Sequence, residues 1–336
     1  MARKHTSKHA FSILLGLGAS ATFLWLAVKD VDIDSVSSAF TGAILWFAVP
    51  LLLSLMLFYG LKALRWATLL NPIQTLTPWQ VLPSLMVGFA ANNLLPAHAG
   101  ELIRVYLVGQ QFQIRKSAVL ATVVLERILD VVAVLLLVAA ALYFEADTQP
   151  ELMYGAYLAA IATLCSLIFI LAYAFWTRQC IALLERLLAG WLKQEWRAKL
   201  LVQLEMAACG LQIVKRPVAL AGVLLNSIVQ WLVMGLCIYL ALAAMQIQAP
   251  VTASFLVLGL MVAGLSLPSA PGFFGTIELC FVLGLKPYGI DAGQAFSAGV
   301  FYHMLAYVSV TGTGLVYLNR LGSNLHKIRH VAETSG

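Results

Sequence analysis

Three short stretches put ionisable and helix-breaking residues where the surrounding chain is apolar. The first is NNLLPAHAGELIR, Asn92 to Arg104. Proline lacks a backbone N–H and ends a helix. In lipid the freed carbonyls must find partners, so a broken backbone survives only inside protein or beside a wet cavity. Pro96 to Gly100 are therefore expected in the interior, with a new helix starting between Ala97 and Gly100. The free N–H groups and positive dipole end of that helix form a seat for an anion. Asn92 and Asn93 add amide donors and acceptors. His98 stands beside the break, as a satisfied interior histidine or as a ligand contact. Glu101 lies in the first new turn, and Arg104 can pair with it at i,i+3. The same groups could instead satisfy one another and fix a re-entrant turn.

The second stretch is VLERILDVV. Glu126 and Asp130 share a helix face at i,i+4, and Arg127 is i,i+3 from Asp130. With a helix starting near Ser117, Glu126 is about 13 Å inside at ~1.5 Å per residue. A charge at mid-membrane costs about 2.5–3.5 kcal/mol on insertion scales. Three of them require a protein-facing, mutually compensated site. It is either a salt-bridge scaffold or a site for a headgroup or ion, with Arg127 as the phosphate fork. The third stretch, LPSAPGFFGTIE, spans Leu267 to Glu278. Pro268, Pro271, Gly272 and Gly275 break the helix, a new one starts near Phe273, and Glu278 lies about one turn inside. It repeats the order of the first stretch: break, glycine, helix start, glutamate.

Weaker polar positions accompany these. Asn226 and Gln230 share a helix face and can hydrogen-bond inside a bundle. His303 is expected as a packed histidine, with a proton-relay role as the alternative. Lys62, Arg65 and Trp66 read as an interfacial anchor. There is no GxSxG, HExxH, Walker loop or paired-aspartate metal motif, so the chain is not expected to be an enzyme. The five cysteines are scattered, with no CxxC or Cys/His cluster. Neither a metal site nor a cofactor is expected.

Composition defines what must position these residues. Of 336 residues, 61% are hydrophobic and 11% charged, where a soluble domain carries about a quarter charged residues. The chain is an all-α, polytopic membrane bundle without a separate soluble domain. Spans are expected at 10–28, 42–61, 117–143, 153–176, 217–244 and 294–318. Segments 79–108 and 252–285, broken in the middle, are expected as re-entrant hairpins. The run at 10–28 continues past a possible signal-cleavage site and reads as a retained span.

Charge placement orients the chain. With the N-terminus inside, the outer segments carry only Lys29 and Lys286 among the 21 lysines and arginines. They also hold the acidic runs DVDID and EADTQPE. This pattern requires both broken segments to return to the side they left. It yields two half-repeats of opposite topology, about 42–143 and 217–318. Residues 177–216 read as a cytoplasmic amphipathic connection lying on the headgroups. The tail after Asn319 is short, basic and expected to fray. The net charge of +6 thus reflects topology and not a nucleic-acid partner.

The three stretches, in this order and at these separations, resemble the flippase-like membrane domain of the lysylphosphatidylglycerol synthases. That superfamily includes stand-alone bacterial inner-membrane proteins and hopanoid-associated membrane proteins. The resemblance covers nearly the whole chain. It implies a multi-span fold with two re-entrant hairpins and movement of lipid between leaflets. The synthases' catalytic domain has no counterpart here, so aminoacyl transfer is not implied. The matching positions are Asn92, Asn93, Pro96, Gly100, Glu101, Arg104, Glu126, Arg127, Asp130, Pro271, Gly272, Gly275 and Glu278. Two positions depart from the family pattern. His98 stands where arginine is common, and Phe273 where a second glycine is common.

The leading expectation is therefore an inner-membrane lipid translocator with both termini cytoplasmic. Its cargo would be a phospholipid, prenyl-phosphate or hopanoid lipid. The headgroup would enter a polar cavity between the hairpins, with its phosphate on Arg127 and helix N-termini. Glu101 and Glu278 would contact cationic or hydroxyl groups. One alternative is a secondary transporter of a small solute, coupled through Glu126, Asp130 and His303. Another is a non-transporting partner of a lipid-modifying or glycosyl-transfer membrane enzyme, docked through 177–216.

Overall fold

Apolar runs long enough to cross a bilayer dictate helices, because only there are all backbone groups satisfied within the segment. The computed structural model describes residues 18, 21–29, 31–95, 99–145, 216–266 and 271–334, with isolated positions between 154 and 186. Among them every regular element is helical. They are α1 (21–28), α2 (Ile33–Gly42), α3 (Ala48–Leu70), α4 (Pro78–Leu94), α5 (Ala99–Gln111), α6 (Lys116–Glu145), α7 (Pro217–Ala244), α8 (Val251–Leu265), α9 (Thr276–Leu285) and α10 (Ala292–Thr334). Short 3₁₀ turns cover Leu45–Phe47, Pro271–Phe273 and Lys286–Tyr288.

Local chemistry sets several of these boundaries. Asp32 caps α2 by accepting from the Asp34 N–H at 3.4 Å. Gln80 Oε1 reaches back to the Thr77 N–H at 2.8 Å, half of a capping box. Pro78 then takes the first position of α4, where its missing N–H costs nothing. Glu278 plays the same part for α9, accepting from the Gly275 N–H at 2.7 Å.

Three stretches among the described residues are long and apolar enough to cross a membrane: Leu45–Leu70, Val218–Ala244 and Ala292–Gly322. Helix α6 is longer than two of them but carries Glu126, Arg127 and Asp130 in its first half. Both broken segments appear as helix, break, helix: α4 and α5 around 95–98, and α8 and α9 around 266–275. Two boundaries differ from expectation. The span expected at 42–61 continues to Leu70, which draws Lys62, Arg65 and Trp66 into the helix. The tail expected to fray is helical to Thr334. Pro96, His98 and Pro268 lie outside the described residues, as do most of spans 10–28 and 153–176 and of the connection 177–216.

The described chain forms two compact units. The first comprises Met1–Tyr59, Leu82–Arg104 and Val233–Gly336; the second comprises Gly60–Val81 and Val105–Leu232. In the first, α9 packs on both α8 and α10, and α10 also on α2. Glycines permit the close α8–α9 approach: a Cβ on Gly284 would meet Val257 backbone, and one on Gly264 the Cys280 thiol. In the second, Leu69, Leu125, Leu129 and Val223 form an apolar cluster joining α3, α6 and α7.

Candidate functional site

In the second unit, α6 brings Glu126 and Asp130 to one face, as their spacing requires. The partners come from α3 and α7. Lys62 Nζ lies 3.0 Å from Asp130 Oδ2 and 3.3 Å from Glu126 Oε1. Arg65 Nη2 donates to Asp130 Oδ1 at 2.6 Å and lies 3.5 Å from Glu126 Oε1. Gln230 Nε2 and Trp231 Nε1 also donate to Asp130 Oδ1, each at 2.9 Å. Ser227 Oγ accepts from Arg65 Nη1 at 2.9 Å and donates its own O–H to Val223 O at 2.8 Å. Lys62 further lies 5.4 Å from the Trp231 ring centre, within cation–π range. Trp66, fully buried, donates from its indole to Thr122 Oγ1 at 3.1 Å.

Lys62, Arg65, Glu126 and Asp130 are all buried, so the first two are not an interfacial anchor. The reason is electrostatic. Two carboxylates in an apolar helix need cations, and α3 supplies them at i,i+3. The signal was present in the sequence as two acids with one adjacent arginine, and a Lys–Arg pair elsewhere that was read as an interfacial anchor. Among the described residues three cations, Lys62, Arg65 and Arg127, gather around the two acids. Arg127 carries the accessible end: its side chain is 42% exposed, and its contact with Asp130 is 3.9 Å, the longest in the cluster. Two polar atoms here, Arg65 Nε and Gln230 Oε1, are buried and without a hydrogen-bond partner. The cluster thus keeps one donor and one acceptor in reserve.

The first unit holds the other predicted residues. Asn92 is buried and its Oδ1 accepts from the Gly100 N–H at 2.8 Å, tying α4 to the start of α5 across the break. Gly100 can take no side chain, because a Cβ there would overlap the Gly88 carbonyl and the Asn92 amide. Asn93 Nδ2 donates to Thr311 Oγ1 on α10 at 3.0 Å. Arg104, buried, lies 3.5 Å from Glu101 and 5.9 Å from the Phe89 ring centre. The asparagines thus hold the break together, while Glu101 keeps some exposure.

At the second break, Gly272, Phe273 and Gly275 have φ of 80°, 60° and 83°. Glycine adopts this region freely; phenylalanine does so at a cost of about 1–2 kcal/mol. Phe273 therefore sits in a backbone region that glycine would adopt freely. Glu278 is buried with both oxygens engaged: Oε2 with the Gly275 N–H and Oε1 with His303 Nδ1 at 2.7 Å. His303 Nε2 lies 2.8 Å from the Gly272 carbonyl. His303 is thus the partner that the sequence did not assign to Glu278. Pro271 opens the turn as the first residue of its 3₁₀ segment.

Two broken helices, each with a glutamate soon after the break, and a buried charged cluster on α6 correspond to the stretches that carried the resemblance. Residues 13–314 match the family described as the lysylphosphatidylglycerol synthase TM region. The chain belongs to this family. It is 26% identical over 241 residues to a UPF0104 membrane protein of Methanocaldococcus jannaschii, covering 70% of this chain and 96% of that one. A UPF0104 membrane protein of Methanothermobacter thermautotrophicus is 21% identical over 340 residues, covering 95% and 97%. A phosphatidylglycerol lysyltransferase of Bacillus subtilis is 36% identical over 81 residues, 24% of this chain and 9% of that protein. No solved structure matches the chain. This member of the family is a membrane protein in which every regular element among the described residues is helical.

Proposed function

We propose that this protein moves an anionic lipid between the leaflets of a bacterial inner membrane, as a carrier and not a catalyst. The observation that carries this reading is the buried charged cluster on α3, α6 and α7, with the partly exposed Arg127 guanidinium at its edge. Glu126 lies about 15 Å from the start of α6 at ~1.5 Å per residue, well inside a hydrocarbon core of about 30 Å. Charges are retained at that depth when they handle something polar. A lipid phosphate would take the fork of Arg127 and draw on Arg65 Nε, which has no hydrogen-bond partner. Its tails would remain in lipid. The family description and the Bacillus relative both name phosphatidylglycerol chemistry, which has the required negative charge.

The full chain in phosphatidylethanolamine vesicles doped with fluorescent phosphatidylglycerol tests this by a leaflet-selective quencher. Exchange above protein-free vesicles is expected, and Arg127→Ala should slow it by roughly tenfold, the worth of one charge-assisted hydrogen bond. Arg127→Lys should recover part of it. Wild-type exchange no faster than in empty vesicles, for this lipid and for a prenyl phosphate, would sink the proposal.

A further inference from the structure

The first unit contains a group that the anion site does not use. His303 Nε2 faces the Gly272 carbonyl, and a carbonyl can only accept. Nε2 therefore carries a hydrogen. Nδ1 then meets Glu278 Oε1 at 2.7 Å. Two lone pairs would repel at that distance, so a proton lies between them. Either the imidazole is doubly protonated against a carboxylate, or a neutral imidazole accepts from a carboxylic acid. Both descriptions contain one exchangeable proton and no net charge.

The proton can leave only at a structural cost. If Nε2 keeps its hydrogen, Nδ1 and the carboxylate oppose lone pairs, and the two side chains must part, which disturbs either the Glu278 cap on Gly275 or the His303 contact with Gly272. If the hydrogen moves to Nδ1, the Nε2 lone pair opposes the Gly272 carbonyl at 2.8 Å. In each case one of these two contacts of the turn at 271–276 is weakened. That turn has three residues with positive φ in four, including Phe273, so it needs those ties to persist. We propose that Glu278 and His303 form a binding site for one proton, and that proton release frees the turn between α8 and α9. The site stands on the first unit alone and does not depend on the lipid reading.

Its surroundings supply no rival ion pair. Among the described residues Cys280 is the titratable neighbour on α9. Tyr302 and Tyr307 are those on α10, with the Tyr307 ring 6.1 Å from His303. Tyr302 hydrogen-bonds Met234 on α7, the helix that also brings Cys237. Helix α8 and residues 21–28, which pack on this region, hold no titratable group. Helix α2 contributes Asp34, exposed, while its Ser35 contacts Gly293 at the far end of α10. Phe274 covers the imidazole at 4.8 Å between ring centres.

Hydrogen–deuterium exchange of the full chain in nanodiscs, followed between about pH 5 and pH 9, tests the site. After correction for intrinsic exchange, protection of the 271–276 amides should fall roughly tenfold as the proton is lost. Glu278→Gln can donate to Nδ1 of a neutral imidazole and accept from Gly275, so both contacts persist when the shared proton is gone. Its protection should not fall as the pH rises. If it does not fold, nitrogen-15 spectra of the wild-type histidine rings serve instead, with His303 assigned by its loss in His303→Gln. The His303 signal should change at the pH where the turn opens. Flat protection in the wild type, the same pH dependence in Glu278→Gln, or a His303 signal that titrates apart from the turn would each overturn the proposal.

Discussion

Asp130 accepts from Arg65, Lys62, Gln230 and Trp231. Its removal leaves two buried cations without their shortest acceptor. Asp130→Ala should therefore destabilise the protein by about 3–5 kcal/mol, the cost of orphaning a buried charge. Arg127 is half-exposed and distant from its acid, so Arg127→Ala should cost no more than about 1 kcal/mol. Thermal unfolding of the two purified variants in detergent measures the order; equal losses would contradict the division of labour between them. The sequence showed Glu126, Arg127 and Asp130 because charges in an apolar helix stand out. It hid Lys62 and Arg65 because cations near the end of a span are usually headgroup anchors, and only the length of α3 decides otherwise. The Glu278–His303 pair was hidden for another reason. The two lie on different helices, and no spacing rule links them.

At the scale of elements, the breaks were legible and their fastenings were not. Pro96, Pro271 and the glycines announce that helices stop there. That Asn92 spans the first break, or that His303 spans the second, depends on tertiary contacts. The two glycines of the second turn should respond differently to substitution. Both have positive φ, so a side chain strains either one by about 1–2 kcal/mol. A Cβ on Gly272 would meet the rings of Phe274 and Tyr307, which can shift, whereas one on Gly275 would meet the backbone of Leu24, which cannot. Gly275→Ala should therefore lower the unfolding temperature well below that of Gly272→Ala. The same scale explains Gly100, whose lack of a side chain lets α5 start against Gly88 of α4.

At the scale of the molecule, orientation rests on charge. Three cations counted toward the cytoplasmic side, Lys62, Arg65 and Arg104, are buried and no longer bear on it. The expected orientation would still leave only Lys29 and Lys286 on the outer side. In a cysteine-free background, a cysteine at exposed Ser37 should react with an impermeant maleimide in intact spheroplasts. One at exposed Gln113 should react only after permeabilisation. The reverse pattern would invert the proposed topology. Within the first unit, α10 serves both breaks from one face: His303 and Tyr307 at the second, Thr311 and Gly314 at the first. Met304 and Val308, between them in sequence, point outward. A helix turns about 100° and rises about 1.5 Å per residue. One residue inserted between Tyr307 and Thr311 would carry Thr311 and Gly314 off α4 while leaving every side chain chemically intact. This stretch is a vernier: its letters can drift over generations, but the interval from His303 to Thr311 cannot gain or lose a single one.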